Sequence, residues 1–342
     1  MDKKDFANIW ASNERHLILT LTRGCNLRCS YCYEYGEDGE SILVDRGVDY
    51  MSLETAIEII DDVNPNIIRF YGGEPLLRSR LIMQIMDRYP DIHYQINTNG
   101  LLYSRLPDEY WARMFSVELS IDGVDDTTRT ENLIRYYHAI DAIRSKVIAR
   151  EVIICSTTIS QFDSDYSISD RVIDIYNRFD INVFQIGLDM SYGRDILQQA
   201  NMNQFIYKFT NELIQTHLDV ISGGYDIMLK GRDQVFAAVN GSVDCSSLNG
   251  EYSAIDVDGT VGSCHVALAT GVDISEYNED NISYACPYVK ATNSRLSDAL
   301  DNNGQYLDIC KTLEEVNKLC FITDNKEDLQ EMAYQLVGNP GI

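Results

Sequence analysis

The sequence predicts an α/β protein: a partial (β/α)6 TIM-like barrel over residues 15–223, then a small α+β module over 224–342, with a short segment, 1–14, in front. Three observations predict it. Short apolar runs alternate with amphipathic stretches from residue 17 to about residue 222, the pattern of strand–helix units. Polar, glycine-rich segments follow the runs at one end: RGCNLRC after the first, GGEP after the second, TNG after the third and DG after the fourth. In a parallel barrel those carboxyl ends carry the active site. Beyond Ser222, Gly223 and Gly224 the pattern changes to short strands and turns, which places the boundary near Gly224.

Each element has a local reason. The strand candidates are 17–22, 67–71, 93–97, 117–121, 151–157 and 182–188, apolar and β-branched runs of strand length. The helix candidates are 53–62, 77–88, 132–144, 170–179 and 204–221. In the first of them Ala56, Ile59 and Ile60 recur at helical spacing, and Ser52 stands where it can cap the start. Successive strand–helix units imply parallel strands with right-handed crossovers, closed or partly closed as a barrel. Further on, IDVDGTV at 255–261 reads as a hairpin turning at Asp-Gly.

The formal net charge is −25, from 53 acidic and 28 basic side chains. Such a field repels phosphate backbones and anionic lipids, so nucleic acid and membrane are not expected partners. It either keeps the chain in solution or draws in a basic substrate. No apolar run is long enough to cross a bilayer and the start, MDKKDFANIW, has no apolar signal region, so a cytoplasmic protein is expected. The nine cysteines, an odd number without an export signal, read as reduced thiols and metal ligands rather than a disulfide framework. Three lie within eight residues near the start, five lie beyond residue 244, and Cys155 stands alone in the run VIIC, where it reads as a core residue.

Cys25, Cys29 and Cys32 have the spacing CxxxCxxC. Three thiolates on a tight loop hold three corners of a cubane cluster and leave the fourth iron open. Zinc is the competing reading, but it needs a fourth thiolate or imidazole, and none follows soon after Cys32. The next strand ends carry YGGEP at 71–75, NTNG at 97–100 and SIDG at 120–123. Alone, GGEP is as readily a turn, and Asn99, Ser120 and Asp122 are as readily caps of strand-to-helix turns as ligand contacts.

On these residues the sequence resembles the radical S-adenosylmethionine superfamily, whose defining motif is CxxxCxxC after the first strand. The resemblance implies a [4Fe–4S] cluster on Cys25, Cys29 and Cys32 and S-adenosylmethionine as cofactor. It implies that Gly72, Gly73 and Glu74 lie against the methionyl amino group, glycine letting backbone carbonyls approach without a Cβ in the way. Asn99, Ser120 and Asp122 match segments that meet the ribose, the methionyl carboxylate or the substrate, which makes Asp122 a candidate catalytic group as well. Tyr31 resembles the aromatic whose backbone meets the adenine, and Gly187 with Leu188 resembles the segment packed on that ring. The chemistry implied begins with a low-potential electron from a donor such as flavodoxin or ferredoxin. A carbon–sulfur bond breaks, and a 5′-deoxyadenosyl radical takes hydrogen from an unreactive C–H bond while the protein orients and excludes solvent.

A second cysteine group follows. Cys245 is separated from Gly259 by thirteen residues, and Gly259 from Cys264 by four. This resembles the CX9–15GX4C signature of the SPASM and twitch extensions, which bind auxiliary iron–sulfur clusters. The denser cysteine run of a full SPASM module is missing, and Cys286, Cys310 and Cys320 remain. The resemblance implies one auxiliary cluster on Cys245, Cys264, Cys286 and Cys310, with Cys320 as the alternative to Cys310. The competing reading makes the last two buried helix residues. His265 stands where sulfatase-maturing relatives have an acidic base. It is a candidate base, a substrate ligand or a hydrogen-bond partner of the cluster, and equally an exposed loop residue.

The extension implies an enzyme that modifies a peptide of ribosomal origin by crosslinking, oxidation or epimerisation. Because Cys25 comes almost at once, no separate leader-binding domain is expected ahead of the core. Leader recognition would then fall to the C-terminal module or to a separate protein. The rivals are a dehydrogenase of a small sugar or alcohol and an iron–sulfur electron carrier. A carrier would have no use for the GGEP, NTNG and SIDG segments.

Overall fold

The computed structural model describes residues 16–29, 32, 47–122, 133–149, 152–159, 167–188, 202–231, 252–262, 265, 268, 304–323 and 326–337. The segment 1–14 and the candidate residues Tyr31, Cys245, Cys264 and Cys286 lie outside the described residues. Nine described strands form one sheet: β1 (His16–Thr20), β2 (Ile67–Tyr71), β3 (His93–Thr98), β4 (Met114–Ser120), β5 (Ile153–Ile159), β6 (Val183–Leu188), β7 (Met228–Gly231), β8 (Tyr252–Ile255) and β9 (Val261–Gly262). Their order is β7-β6-β5-β4-β3-β2-β1-β8-β9, and every neighbouring pair is parallel except β8 with β9. The six expected strands are thus present, side by side in chain order. Among the described strands β7 and β9 end the order without pairing each other, so the barrel is partial.

The helices are α1 (Leu53–Val63), α2 (Ser79–Arg88), α3 (Asp108–Trp111), α4 (Leu133–Arg144), α5 (Ile168–Phe179), α6 (Met202–Ser222), α7 (Gly304–Ile322) and α8 (Glu327–Val337). The Ser52 hydroxyl caps α1 by accepting the Thr55 N–H at 3.0 Å, and Asn64 ends it in the left-handed region. The expected helix over 77–88 begins instead as a 3-10 turn, Pro75–Arg78, with α2 following. Pro75 has no N–H to give, and the Glu74 carboxylate accepts the Leu76 N–H at 3.0 Å, so the turn is pinned before α2 begins.

One sheet face carries Leu17, Leu19, Ile68, Phe70, Tyr94, Ile96, Val117, Leu119, Cys155, Phe184 and Ile186, all buried in the main core with apolar residues of the helices. On the opposite face Arg69 donates from Nε to Gln95 Oε1 at 2.9 Å and lies 3.9 Å from the Glu118 carboxylate. Cys155 is fully buried, as the run VIIC suggests.

Beyond Gly224 the chain extends the core sheet at both ends. β7 lies beside β6, Val183 opposite Met228, and β8 lies beside β1, Leu19 opposite Ile255. The expected hairpin is β8–β9, with Ile255 opposite Val261 and Gly259 at φ +90 in the turn. Helix α7 packs on α6 and β7. Its Asn317 amide accepts the Leu229 N–H at 2.7 Å and donates to the Ile227 carbonyl at 3.0 Å, replacing strand bonds where the sheet ends.

Candidate functional site

The loops leaving the carboxyl ends of β1, β2 and β3 are bonded to one another. Gly73 donates its N–H to the Thr22 carbonyl, and Glu74 donates to that of Gly24, each at 2.9 Å. A Cβ on Gly72 would lie 2.3 Å from the Thr22 carbonyl oxygen, and one on Gly73 2.4 Å from that of Gly24. Gly72 also has φ +133, which side chains other than glycine rarely adopt. The glycine pair therefore seats the second loop on the first, a packing demand that exists whatever else binds there.

Glu74 is 1% exposed and turns inward. Its Oε1 accepts from the Thr98 hydroxyl at 2.7 Å and the Leu76 N–H at 3.0 Å, and its Oε2 accepts the Asn99 N–H at 2.9 Å. Burial pushes the carboxyl up to about 7, against these donors, which pull it down. Asn99 is fixed in turn: Oδ1 accepts the Leu101 N–H at 3.0 Å, and Nδ2 donates to Asn26 Oδ1 at 2.9 Å and reaches Cys25 Sγ at 4.0 Å. Glu74 and Asn99 thus link the second and third strand ends to the cysteine loop.

Cys25, Cys29 and Cys32 are half-buried thiols on that loop. The Leu27 N–H points to Cys25 Sγ at 3.4 Å, and the Cys32 N–H donates to the Cys29 carbonyl at 3.0 Å. Among the described residues no three His, Cys, Asp or Glu side chains are gathered closely enough to hold one ion. Three accessible thiols with an N–H aimed at sulfur are the donor chemistry an iron–sulfur cluster takes, and the residues fit that group.

Ser120 and Asp122 belong to the neighbouring strand end. Ile121 between them donates its N–H to the Ser156 carbonyl at 3.0 Å and accepts from the Thr157 hydroxyl at 2.6 Å. The Asp122 carbonyl accepts from the Arg171 guanidinium, and the residue is buried. Leu188 ends β6, two strands beyond β4. The His265 ring lies 4.5 Å from the Tyr71 ring, centroid to centroid, which brings the C-terminal part of the chain to the end of β2 beside Gly72.

Cys310 sits elsewhere. It is fully buried on α7, its Sγ donates to the Thr210 carbonyl of α6 at 3.6 Å, and burial pushes the thiol up to about 12. Cys320, also on α7, is buried and raised for the same reason. Both thiols are thus buried on α7, and the cysteines expected to join Cys310 on a cluster, Cys245, Cys264 and Cys286, lie outside the described residues.

The sequence reading missed Arg23, Asn26, Thr98 and Asp256. Thr98 and Asn26 lie inside motifs already singled out, but their roles depend on partners in other loops. Arg23 and Asp256 form an ion pair at 2.7 Å between the ends of the paired strands β1 and β8, a contact without any local signal. The row Arg69, Gln95 and Glu118 was visible as single polar residues within IIRFY, HYQIN and VELSI.

A partial parallel barrel that assembles a CxxxCxxC loop, a Gly-Gly-Glu turn and an asparagine at its carboxyl end has the parts expected of an iron–sulfur, adenosyl-dependent class of enzyme. The Radical SAM superfamily pattern matches residues 19–160, from β1 through β5. The chain thus carries a radical S-adenosylmethionine domain over residues 19–160, and that domain implies a [4Fe–4S] cluster and S-adenosylmethionine as cofactor. It is 25% identical over 275 residues to the radical SAM cyclopropyl synthase TigE of Paramaledivibacter caminithermalis, covering 72% of this chain and 56% of TigE. The chain spans between 35% and 56% of the length of the first curated relatives it matches. The fold is similar to that of anSMEcpe with bound AdoMet, at TM-score 0.61 and 15% identity over 92% of this chain and 98% of the other. It is also similar to Streptococcus suis SuiB bound to the precursor peptide SuiA, at TM-score 0.52 and 13% identity over 87% of this chain and 73% of SuiB. Among the described residues no helix is long and apolar enough to cross a membrane.

Proposed function

We propose that the chain cleaves S-adenosylmethionine at a cluster held by Cys25, Cys29 and Cys32 and acts on a peptide. The observation that carries the first part is the bonded set of loops, in which Gly73 and Glu74 are seated on the cysteine loop and Glu74 holds Asn99 against it. When bound, the cluster and cofactor supply a 5′-deoxyadenosyl radical that takes hydrogen from an unreactive C–H bond. The chain's own residues bind and orient. Three thiolates leave one iron open, the Gly72–Gly73 turn offers backbone carbonyls, and Asn99 stands between the third strand end and the cysteine loop. Ser120, Asp122, Tyr31 and Leu188 are assigned to the cofactor's remaining contacts. His265, against Tyr71, is assigned to the substrate as base or hydrogen-bond donor.

The peptide assignment is supported by neighbours of the same fold, SuiB with its precursor peptide and anSMEcpe with the Cp18Cys peptide. Cys245, Cys264, Cys286 and Cys310, with Cys320 as the alternative to Cys310, are assigned to an auxiliary cluster, and the low-potential electron to a flavodoxin- or ferredoxin-type donor. The product would be a crosslinked, oxidised or epimerised residue. Anaerobic reconstitution tests the reading. The wild type should release 5′-deoxyadenosine under reduction, and the Cys25→Ala, Cys29→Ala, Cys32→Ala variant should release none; cleavage by that variant sinks the cluster assignment. His265→Ala should still cleave the cofactor while losing the modified peptide. Turnover of a small sugar or alcohol, with every candidate peptide left intact, would remove the peptide half.

A further inference from the structure

The turn that follows β8 touches the loop after β1. Arg23, two residues before Cys25, donates to Asp256 Oδ2 at 2.7 Å, and the two side chains are 11% and 3% exposed. The partners are 233 residues apart in sequence and meet because β1 and β8 are paired, Leu19 opposite Ile255. Each is fixed independently. The Arg23 N–H donates to the Asp49 carbonyl at 3.0 Å. Asp256 Oδ1 accepts the Val257 N–H at 2.8 Å, while its backbone donates to the Thr260 carbonyl at 2.9 Å and accepts from Gly259 at 3.0 Å. Farther along, His265 rests on Tyr71, the residue before Gly72.

We propose that Asp256 is a positioning residue for the cysteine loop, acting through Arg23. The inference rests on the reading that this loop holds the cluster. Two consequences follow from the chemistry. A buried carboxylate on a rigid turn fixes the Arg23 side chain, and with it the start of the Cys25–Cys29 loop. Its charge also cancels the guanidinium. Without it, one negative charge is lost beside a guanidinium two residues from a cluster ligand, and the more positive field favours the more negative, reduced cluster.

The test uses Asp256→Asn, Asp256→Glu, Arg23→Gln and the double variant Arg23→Gln, Asp256→Asn. In the cluster-free protein, alkylation of Cys25 is followed by mass spectrometry, with buried Cys310 as the internal reference. Asp256→Asn should alkylate Cys25 several-fold faster than wild type at an unchanged Cys310 rate, and Asp256→Glu should restore protection. In the reconstituted protein, Asp256→Asn should raise the midpoint potential of the amino-terminal cluster, and the double variant should return it toward wild type. Wild-type Cys25 protection together with a wild-type potential in Asp256→Asn overturns the proposal. So does a double variant whose potential stays as far above wild type as that of Asp256→Asn alone. If Asp256→Asn does not fold, Arg23→Gln carries the same alkylation arm, and protection equal to wild type there overturns it. Failure of the cluster reading itself is separate: it appears as iron content unchanged by the Cys25, Cys29 and Cys32 replacements, while the alkylation arm still reports on the pair.

Discussion

Glu74 joins the second and third strand ends through one carboxyl group, and its titration has a sign that can be measured. Its pKa is raised from 4.5 to about 7, chiefly by burial. The unfolded chain gives up this proton near pH 4.5 while the folded chain keeps it up to about 7. The stability tied to the protonated group is therefore full below pH 4.5 and is lost as pH rises through 7, by about 3 kcal/mol in all. Glu74→Gln cannot ionise, although its amide hydrogens would meet donors. Urea midpoints of wild type and Glu74→Gln apoprotein should diverge in slope between pH 4.5 and 7, and parallel curves would show that the carboxyl does not titrate there. His217 on α6 has the opposite sign. It is fully buried, neither ring nitrogen has a hydrogen-bond partner among the described residues, and burial lowers its pKa from 6.5 to about 3. It disfavours the fold as pH falls below 6.5, where the unfolded chain takes up the proton. His217→Leu should flatten that acid limb, and an unchanged limb would remove His217 from the acid response.

At the scale of elements, the loop after β2 depends on backbone contact that a methyl group would break. Gly73→Ala places a Cβ 2.4 Å from the Gly24 carbonyl oxygen, whereas a Cβ on Gly24 would meet nothing closer than the Thr22 hydroxyl at 3.4 Å. Gly73→Ala should cost roughly 1–3 kcal/mol and Gly24→Ala well under that, read from thermal unfolding of the apoproteins. Equal costs would mean that the two loops do not pack as described. Helix α7 is held to the sheet edge in a comparable way. Asn317→Leu strands a buried N–H on Leu229 and a carbonyl on Ile227, at about 2–4 kcal/mol, with faster amide exchange in β7 than in β3 as the local mark. These contacts explain what could be read beforehand. The strands, α1 with its Ser52 cap, and the Asp-Gly hairpin follow from neighbours in sequence and were legible. The seating of Gly73 on Gly24, the Glu74–Asn99 bond and the Asn317 bridge join distant segments and left no periodic trace. The 3-10 start at Pro75 was local, but GGEP was read for its chemistry and not for its missing N–H.

For the whole molecule, the chain beyond Gly224 is joined to the barrel at both sheet edges, through β7 beside β6 and β8 beside β1. Composition signalled a change of pattern there but could not show the pairing, because parallel partners are chosen by the fold. Net charge, in contrast, is legible without a structure. At −25 the chain presents a strongly negative field to anything that approaches. A cationic peptide segment is drawn in, and the attraction is screened where the Debye length drops to about 10 Å or less, near 0.1 M salt. The peptide reading therefore predicts a substrate with a basic recognition segment and the modified residue outside it. Its association rate should be high at low salt and fall steeply as salt is added, with the dissociation rate changing much less. Stopped-flow mixing of the reconstituted enzyme with a modified peptide substrate at two ionic strengths measures both rates. An association rate indifferent to salt would mean that the acidic surface plays no part in capture and only keeps the protein in solution. Replacing the peptide's Lys and Arg by Gln separates charge from sequence. That peptide should bind slowly at every salt concentration yet, once bound, be modified at the wild-type rate, because the radical acts at a residue the basic segment does not contain.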